Sequence, residues 1–141
     1  MCLDKFTKER FKYEKYELNG EEFNVGYKIF EFRSSSGFLY SLFKGDTEPR
    51  PLNTWIHEKD CRLKTHTIML NYLVGWHIYI EKTGALLNRR RTNREICKKV
   101  LFRTIVRKGY QTGCKVVVAK QIYILSDEVW CKGRYGDRDE R

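Results

Sequence analysis

His77 is the most pointed chemical candidate in the sequence. It follows Gly75-Trp76 at the start of an apolar segment and shares an alternating face with Tyr79. A histidine so placed could act as a general base or bind a phosphate. The plainer reading is a sheet histidine satisfied by a backbone carbonyl. Glu81 lies four residues on, and no carboxylate stands beside His77 in sequence. A second candidate is the run Arg89, Arg90, Arg91 with Arg94. Guanidinium forks grip phosphates in pairs, and arginines three or four apart share a helix face. Basic runs on helices are also often only solvated faces.

Here the positive sign continues through Lys98, Lys99, Arg103, Arg107 and Lys108, then Lys115 and Lys120. Residues 85–120 carry eleven Lys or Arg against Glu95 alone, an excess of +10 that equals the net charge of the whole chain. The first fifty residues balance nine bases against nine acids. A basic segment inside a neutral protein points to a surface for an anionic partner. The exposed-aromatic candidates Phe38, Tyr40, Trp55, Tyr72 and Tyr110 could stack bases if they line that surface. Most aromatics in such a chain serve as core or cross-strand pairs.

Other chemistries find little support. Gly109 and Gly113 precede Cys114-Lys115, but the spacing is too short for a phosphate-binding loop and no Ser or Thr follows the lysine. Ser34, Ser35 and Ser36 form a turn without a local base. Cys61 and His66 make half a metal site, and no CxxC pair occurs among the five cysteines. Their odd number and wide spacing fit reduced thiols and an intracellular, cytoplasmic protein. No run approaches the roughly 20 apolar residues of a membrane helix, and no targeting peptide is indicated. Neither a cofactor nor a metal is implied, and a homo-oligomer stays open.

These residues need elements to position them. At 141 residues one domain is expected, with a core that needs no metal or disulfide. Strand signals dominate. Residues 11–18 alternate, Asn19-Gly20 supplies a two-residue hairpin turn, and residues 23–32 follow. There Val25, Tyr27 and Ile29 take one face, Phe30 and Phe32 the other. A second hairpin turns at residues 34–37 into residues 38–43. Residues 54–57 and 76–80 read as short strands. Thr83 caps an expected helix over about residues 84–96. Residues 99–107 alternate, and residues 116–125 read as a strand buried on both faces, joined to it by a loop at 109–113. The expected class is α+β, a mainly antiparallel sheet with one or two helices packed on a face. The globular domain spans 1–131, and residues 132–141 form a charged, mobile tail. Phe30, Trp76, Ile78, Phe102, Val118 and Ile122 are the expected core.

Three pieces occur in a familiar order: Tyr27-Lys28-Ile29-Phe30, then Gly75-Trp76-His77, then the closing run from Val116 through Leu125. Residues 26–125 thereby resemble a group of short phage and prophage proteins with a Tyr-Lys-x-Phe strand, a Gly-Phe-His motif and a Val-Val-Ala-x-x-Ile-x-Ile-Leu strand. Trp76 replaces the usual Phe. The group brings no agreed activity. What the resemblance implies is a phage source, and by analogy an accessory role against host defences. Tyr27, Lys28, Trp76, His77 and Tyr79 make one possible pocket. The order of motifs also resembles small ADP-ribosyltransferase-like domains, which use a catalytic Glu on a late strand. Here no acid occurs between Lys98 and Ser126. The leading expectation is a non-enzymatic binding protein for nucleic acid, a nucleotide signal or an acidic host-protein surface. The rival is a nucleotide-acting enzyme using His77 and the arginine cluster.

Overall fold

The computed structural model describes residues 3, 5–33, 37–40, 49–57, 75–87 and 95–132. They form strands β1 (Lys5–Phe6), β2 (Glu14–Leu18), β3 (Glu21–Arg33), β4 (Phe38–Tyr40), β5 (Trp55–His57) and β6 (Trp76–Tyr79), helix α1 (Lys82–Leu87), then β7 (Glu95–Gln111) and β8 (Cys114–Lys132). This corrects the α+β expectation. The described residues are nearly all strand, and their one helix is six residues long.

The expected helix over 84–96 fails at its C-terminal end. Ile96, Val100 and Phe102 alternate with Cys97 and Leu101, and both sets are buried. Two apolar faces at period two suit a strand packed on both sides. β3 supplies the hydrogen-bonding edge, pairing antiparallel with β7 from Asn24↔Phe102 to Glu31↔Glu95. Thr83 lies inside α1 rather than capping it.

Both long hairpins close with two residues at positive φ. Asn19 and Gly20 stand at 54° and 82° between β2 and β3. Thr112 and Gly113 stand at 48° and 79° between β7 and β8. Paired positive φ marks the type I′ turn, whose twist matches that of the strands. The expected loop at 109–113 therefore shrinks to two residues, and Gly109 belongs to β7.

The pairings return on themselves. β3 pairs β7, β7 pairs β8, β8 pairs β6, and β6 meets β3 at Tyr27↔Tyr79. Gly26 permits that last approach: a Cβ there would lie 2.2 Å from Ile78 Cγ2 and 2.9 Å from the Tyr79 carbonyl. Inside the ring pack Phe30, Trp76, Ile78, Val100, Phe102, Val117, Ile122 and Ile124. Five of the six expected core residues belong to this cluster. The sixth, Val118, is buried too, on the other face of β8, and Val116 to Ala119 are all enclosed, as a strand covered on both sides requires.

Outside the ring, Tyr27, Ile29, Tyr79, Cys97 and Val116 pack with Ala85 of α1. Phe23, Val25, Leu101 and Leu125 form a further outer cluster. The expected alternation along β7 breaks at Thr104, whose φ is 63°. A β-branched residue rarely adopts that conformation. Beyond it Ile105 turns onto the inner core instead of sharing a face with Arg103. β8 extends through Lys132, and the expected tail lies outside the described residues from 133 onward.

Candidate functional site

Alternation along β3 sends Val25, Tyr27 and Ile29 outward and Gly26, Lys28 and Phe30 inward. Lys28 therefore carries its ammonium into the ring. Its Nζ donates to the His77 carbonyl at 2.9 Å and lies 5.9 Å from the Phe30 ring centre and 6.0 Å from that of Trp76. The guanidinium of Arg50 sits 5.4 Å from the same Trp76 ring, and Arg50 is only 2% exposed. Burial pushes the Lys28 ammonium down to about 8, and the nearby Arg50 charge adds to the effect. Lys28 as a residue keeps some solvent-exposed surface, yet protein crowds its charged end. No carboxylate among the described residues pairs with it. Trp76 is 1% exposed, and its indole N–H has no acceptor among the described residues.

The candidate pocket is thus brought together and then split by the sheet. Lys28 and Trp76 face inward, whereas Tyr27 and Tyr79 pack outside. His77 alternates outward with Tyr79 and lends its backbone carbonyl to Lys28. Burial, and after it the Lys28 charge, pushes the His77 imidazole down to about 3, against a hydrogen bond with the Gly75 backbone that raises it. His77 is neutral at physiological pH and poorly suited to hold a proton taken from a substrate.

The described basic residues of β7 part in the same way. Lys98 is buried and donates to the Ser126 carbonyl at 3.2 Å, inside an irregularity where β8 holds extra residues. Lys99 pairs with Glu14 at 3.1 Å, and the Tyr27 hydroxyl donates to the other Glu14 oxygen at 2.6 Å. Burial raises the Glu14 carboxyl, but Tyr27 and Lys99 outweigh it and hold the group below the usual range.

Arg103 lies 3.9 Å over the Trp55 ring and donates from Nε to the Gln121 side-chain oxygen. Arg107 sits 4.5 Å over Phe6. Lys108 donates to the Glu9 carbonyl at 2.7 Å, and Lys115 approaches the Phe11 ring at 5.7 Å. The Glu9 carboxylate itself accepts from the Tyr110 hydroxyl. Residues 6–8 and 105–108 border an open groove of about 560 Å³, lined by Lys8, Arg107 and Lys108 and by no acid.

Arg89, Arg90, Arg91 and Arg94 lie outside the described residues, as do Cys61, His66 and Tyr72. Of the aromatic candidates, Phe38 is exposed, Tyr40 is buried, Trp55 is covered by Arg103, and Tyr110 meets Phe11 edge-on. Sequence reasoning missed Arg50. It lies in a proline-flanked stretch with no periodicity to announce burial. Among the described residues no group of three metal-ligating side chains occurs, and no helix is long and apolar enough to cross a membrane. No protein-family model, no curated protein and no solved structure matches this chain. The functional reading rests on its own residues.

Proposed function

We propose that the chain is a small non-enzymatic binding protein that engages an anionic partner along the β7–β8 hairpin. One observation carries this reading. Arg103, Arg107, Lys108 and Lys115 are held by aromatic rings, a side-chain amide or a backbone carbonyl, with no ion pair among the described residues. Neutral anchors fix a cation's position without cancelling its charge, so its field remains available to a partner. Arginine against an aromatic ring beside a basic groove suits a nucleic-acid strand, where phosphates and bases are both met. A nucleotide signal or an acidic protein surface uses the same charges.

By analogy with the phage and prophage proteins that residues 26–125 resemble, a phage-encoded accessory role against host defences in the host cytoplasm is part of this proposal. The lowering of the His77 imidazole by burial weighs against the rival, a nucleotide-acting enzyme.

The test is fluorescence anisotropy with single-stranded DNA and RNA oligonucleotides across a salt series. Binding is expected to weaken with salt, and each phosphate contact removed lowers the salt slope by about one unit. Arg107→Glu with Lys108→Glu should abolish binding while far-ultraviolet circular dichroism stays unchanged. Unchanged affinity in that double variant would overturn the reading.

A further inference from the structure

We propose that the groove between β1 and β7 holds one unstacked nucleobase against the ring of Phe6, so that the partner is a single-stranded nucleic acid and not a duplex. This rests on the anion-binding reading of the β7–β8 hairpin and names the class of its partner.

Phe6 is the starting point. It is a large apolar side chain in a strand, yet 49% of its surface is exposed. Its backbone is fixed on both sides. Lys5 and Phe6 pair with Tyr110 and Gly109, and the Thr7 N–H continues the ladder to the Lys108 carbonyl at 3.0 Å. Gly109 permits this close seating, since a Cβ there would collide with the Lys5 carbonyl. An exposed ring on an anchored backbone is a ready stacking platform, because little freedom is lost when a flat group settles on it.

The groove beside that ring is the second observation. It measures about 560 Å³, within the range of roughly 300–1,000 Å³ that holds small organic groups. Ile105 and Val106 give it an apolar wall, and Lys8, Arg107 and Lys108 line it with positive charge. The Glu9 carboxylate, next along the chain, is engaged by the Tyr110 hydroxyl, and Lys108 reaches only the neutral Glu9 backbone carbonyl. The Arg107 guanidinium lies 4.5 Å from the centre of the Phe6 ring. A guanidinium stacked on a ring keeps its in-plane N–H groups for phosphate oxygens. Half of the Phe6 surface stays open to a second flat group. A strand laid along this groove supplies both parts: phosphates for Lys8, Arg107 and Lys108, and a base for Phe6. In a duplex each base is covered on both faces by its neighbours, so only a single strand can offer a base face to the ring. An acidic peptide meets the cations but brings Phe6 no comparable surface.

Anisotropy titrations of the whole chain with a single-stranded oligonucleotide and with a hairpin duplex of the same composition, at matched salt, provide the test. The single strand should bind about tenfold tighter or more. Phe6→Leu keeps an apolar side chain but removes the stacking face. It should weaken single-strand binding about fivefold or more and leave the salt slope unchanged, because no phosphate contact is lost. Phe6→Tyr should retain the wild-type affinity. If Phe6→Leu folds poorly by circular dichroism, the comparison of strand with duplex on the wild type still decides. Equal affinity for strand and duplex would overturn the proposal, as would an unchanged single-strand affinity in folded Phe6→Leu. Should Arg107→Glu with Lys108→Glu still abolish binding in either case, the hairpin reading survives and only the base site falls. Affinity for polyglutamate but for neither nucleic acid would also overturn the base site, leaving an acidic protein partner. Binding to none of the three would overturn both.

Discussion

Replacing Lys28 by Met should stabilise the protein at neutral pH and remove a pH dependence that the wild type shows. The Lys28 ammonium falls from 10.5 to about 8 on folding. At about 1.36 kcal/mol per unit, the charged form costs the folded state about 3 kcal/mol. A lowered lysine means that the unfolded chain holds more protons between about pH 8 and 10.5, so stability rises with pH across that window. Below it both states are charged and the full penalty stands. Methionine keeps much of the side-chain volume and removes the charge, but it also forfeits the hydrogen bond to the His77 carbonyl, worth about 1 kcal/mol. The net gain at neutral pH is therefore about 2 kcal/mol; it should shrink as pH rises from about 8 and reverse above about pH 10.5, where only the lost hydrogen bond remains. Urea unfolding of both proteins in chloride buffer at several pH values measures this. Tyr13, whose burial raises its hydroxyl, titrates in both proteins and drops out of the difference. Parallel stability–pH curves would refute the reasoning, as would a variant less stable than wild type at neutral pH.

Phe102→Ala should cost about 3 to 5 kcal/mol in urea unfolding, because Phe102 is 1% exposed and meets Tyr13 edge-on at 5.5 Å; a loss below about 1 kcal/mol would contradict its place in the core. Gly26→Ala drives a methyl into Ile78 and should loosen the β3–β6 closure, read as faster amide exchange on β6 than on the β7–β8 hairpin. Asn53 clips the β8 irregularity, donating to Ser126 Oγ at 2.9 Å and accepting from the Ser126 N–H at 3.2 Å, with its own φ at 55°. Asn53→Ala should cost about 2 kcal/mol, and Asn53→Gly should recover the part owed to backbone conformation; equal losses in both would leave the hydrogen bonds as the whole effect.

Local rules made much of this chain legible. Asn19-Gly20 announced a hairpin because both residues tolerate positive φ, and the β-branched run from Val116 announced a strand covered on both faces. The alternation of Val25, Tyr27 and Ile29 against Phe30 set which side of β3 faces the core. The excess charge of residues 85–120 pointed to an anionic partner whatever the fold. The segment after α1 was misread because its polar residues and short apolar set fit a helix locally. Whether Ile96 and Cys97 would be helix or strand depended on an edge offered by β3, some seventy residues earlier in the chain, and no window of sequence contains that edge. The fate of each cation was equally non-local. Sequence marked Lys28 as a candidate pocket residue, but only the closing of the ring by β6, β7 and β8 turns it into a buried charge beside Trp76 and Arg50. Lys98 and Lys99 are neighbours in sequence, yet strand alternation sends one into the core and the other to Glu14. Composition determined that positive charge had to go somewhere. Tertiary pairing decided which charges are spent on the fold and which remain for a partner, because desolvation and opposing charges are set by what folds against a side chain rather than by what precedes it.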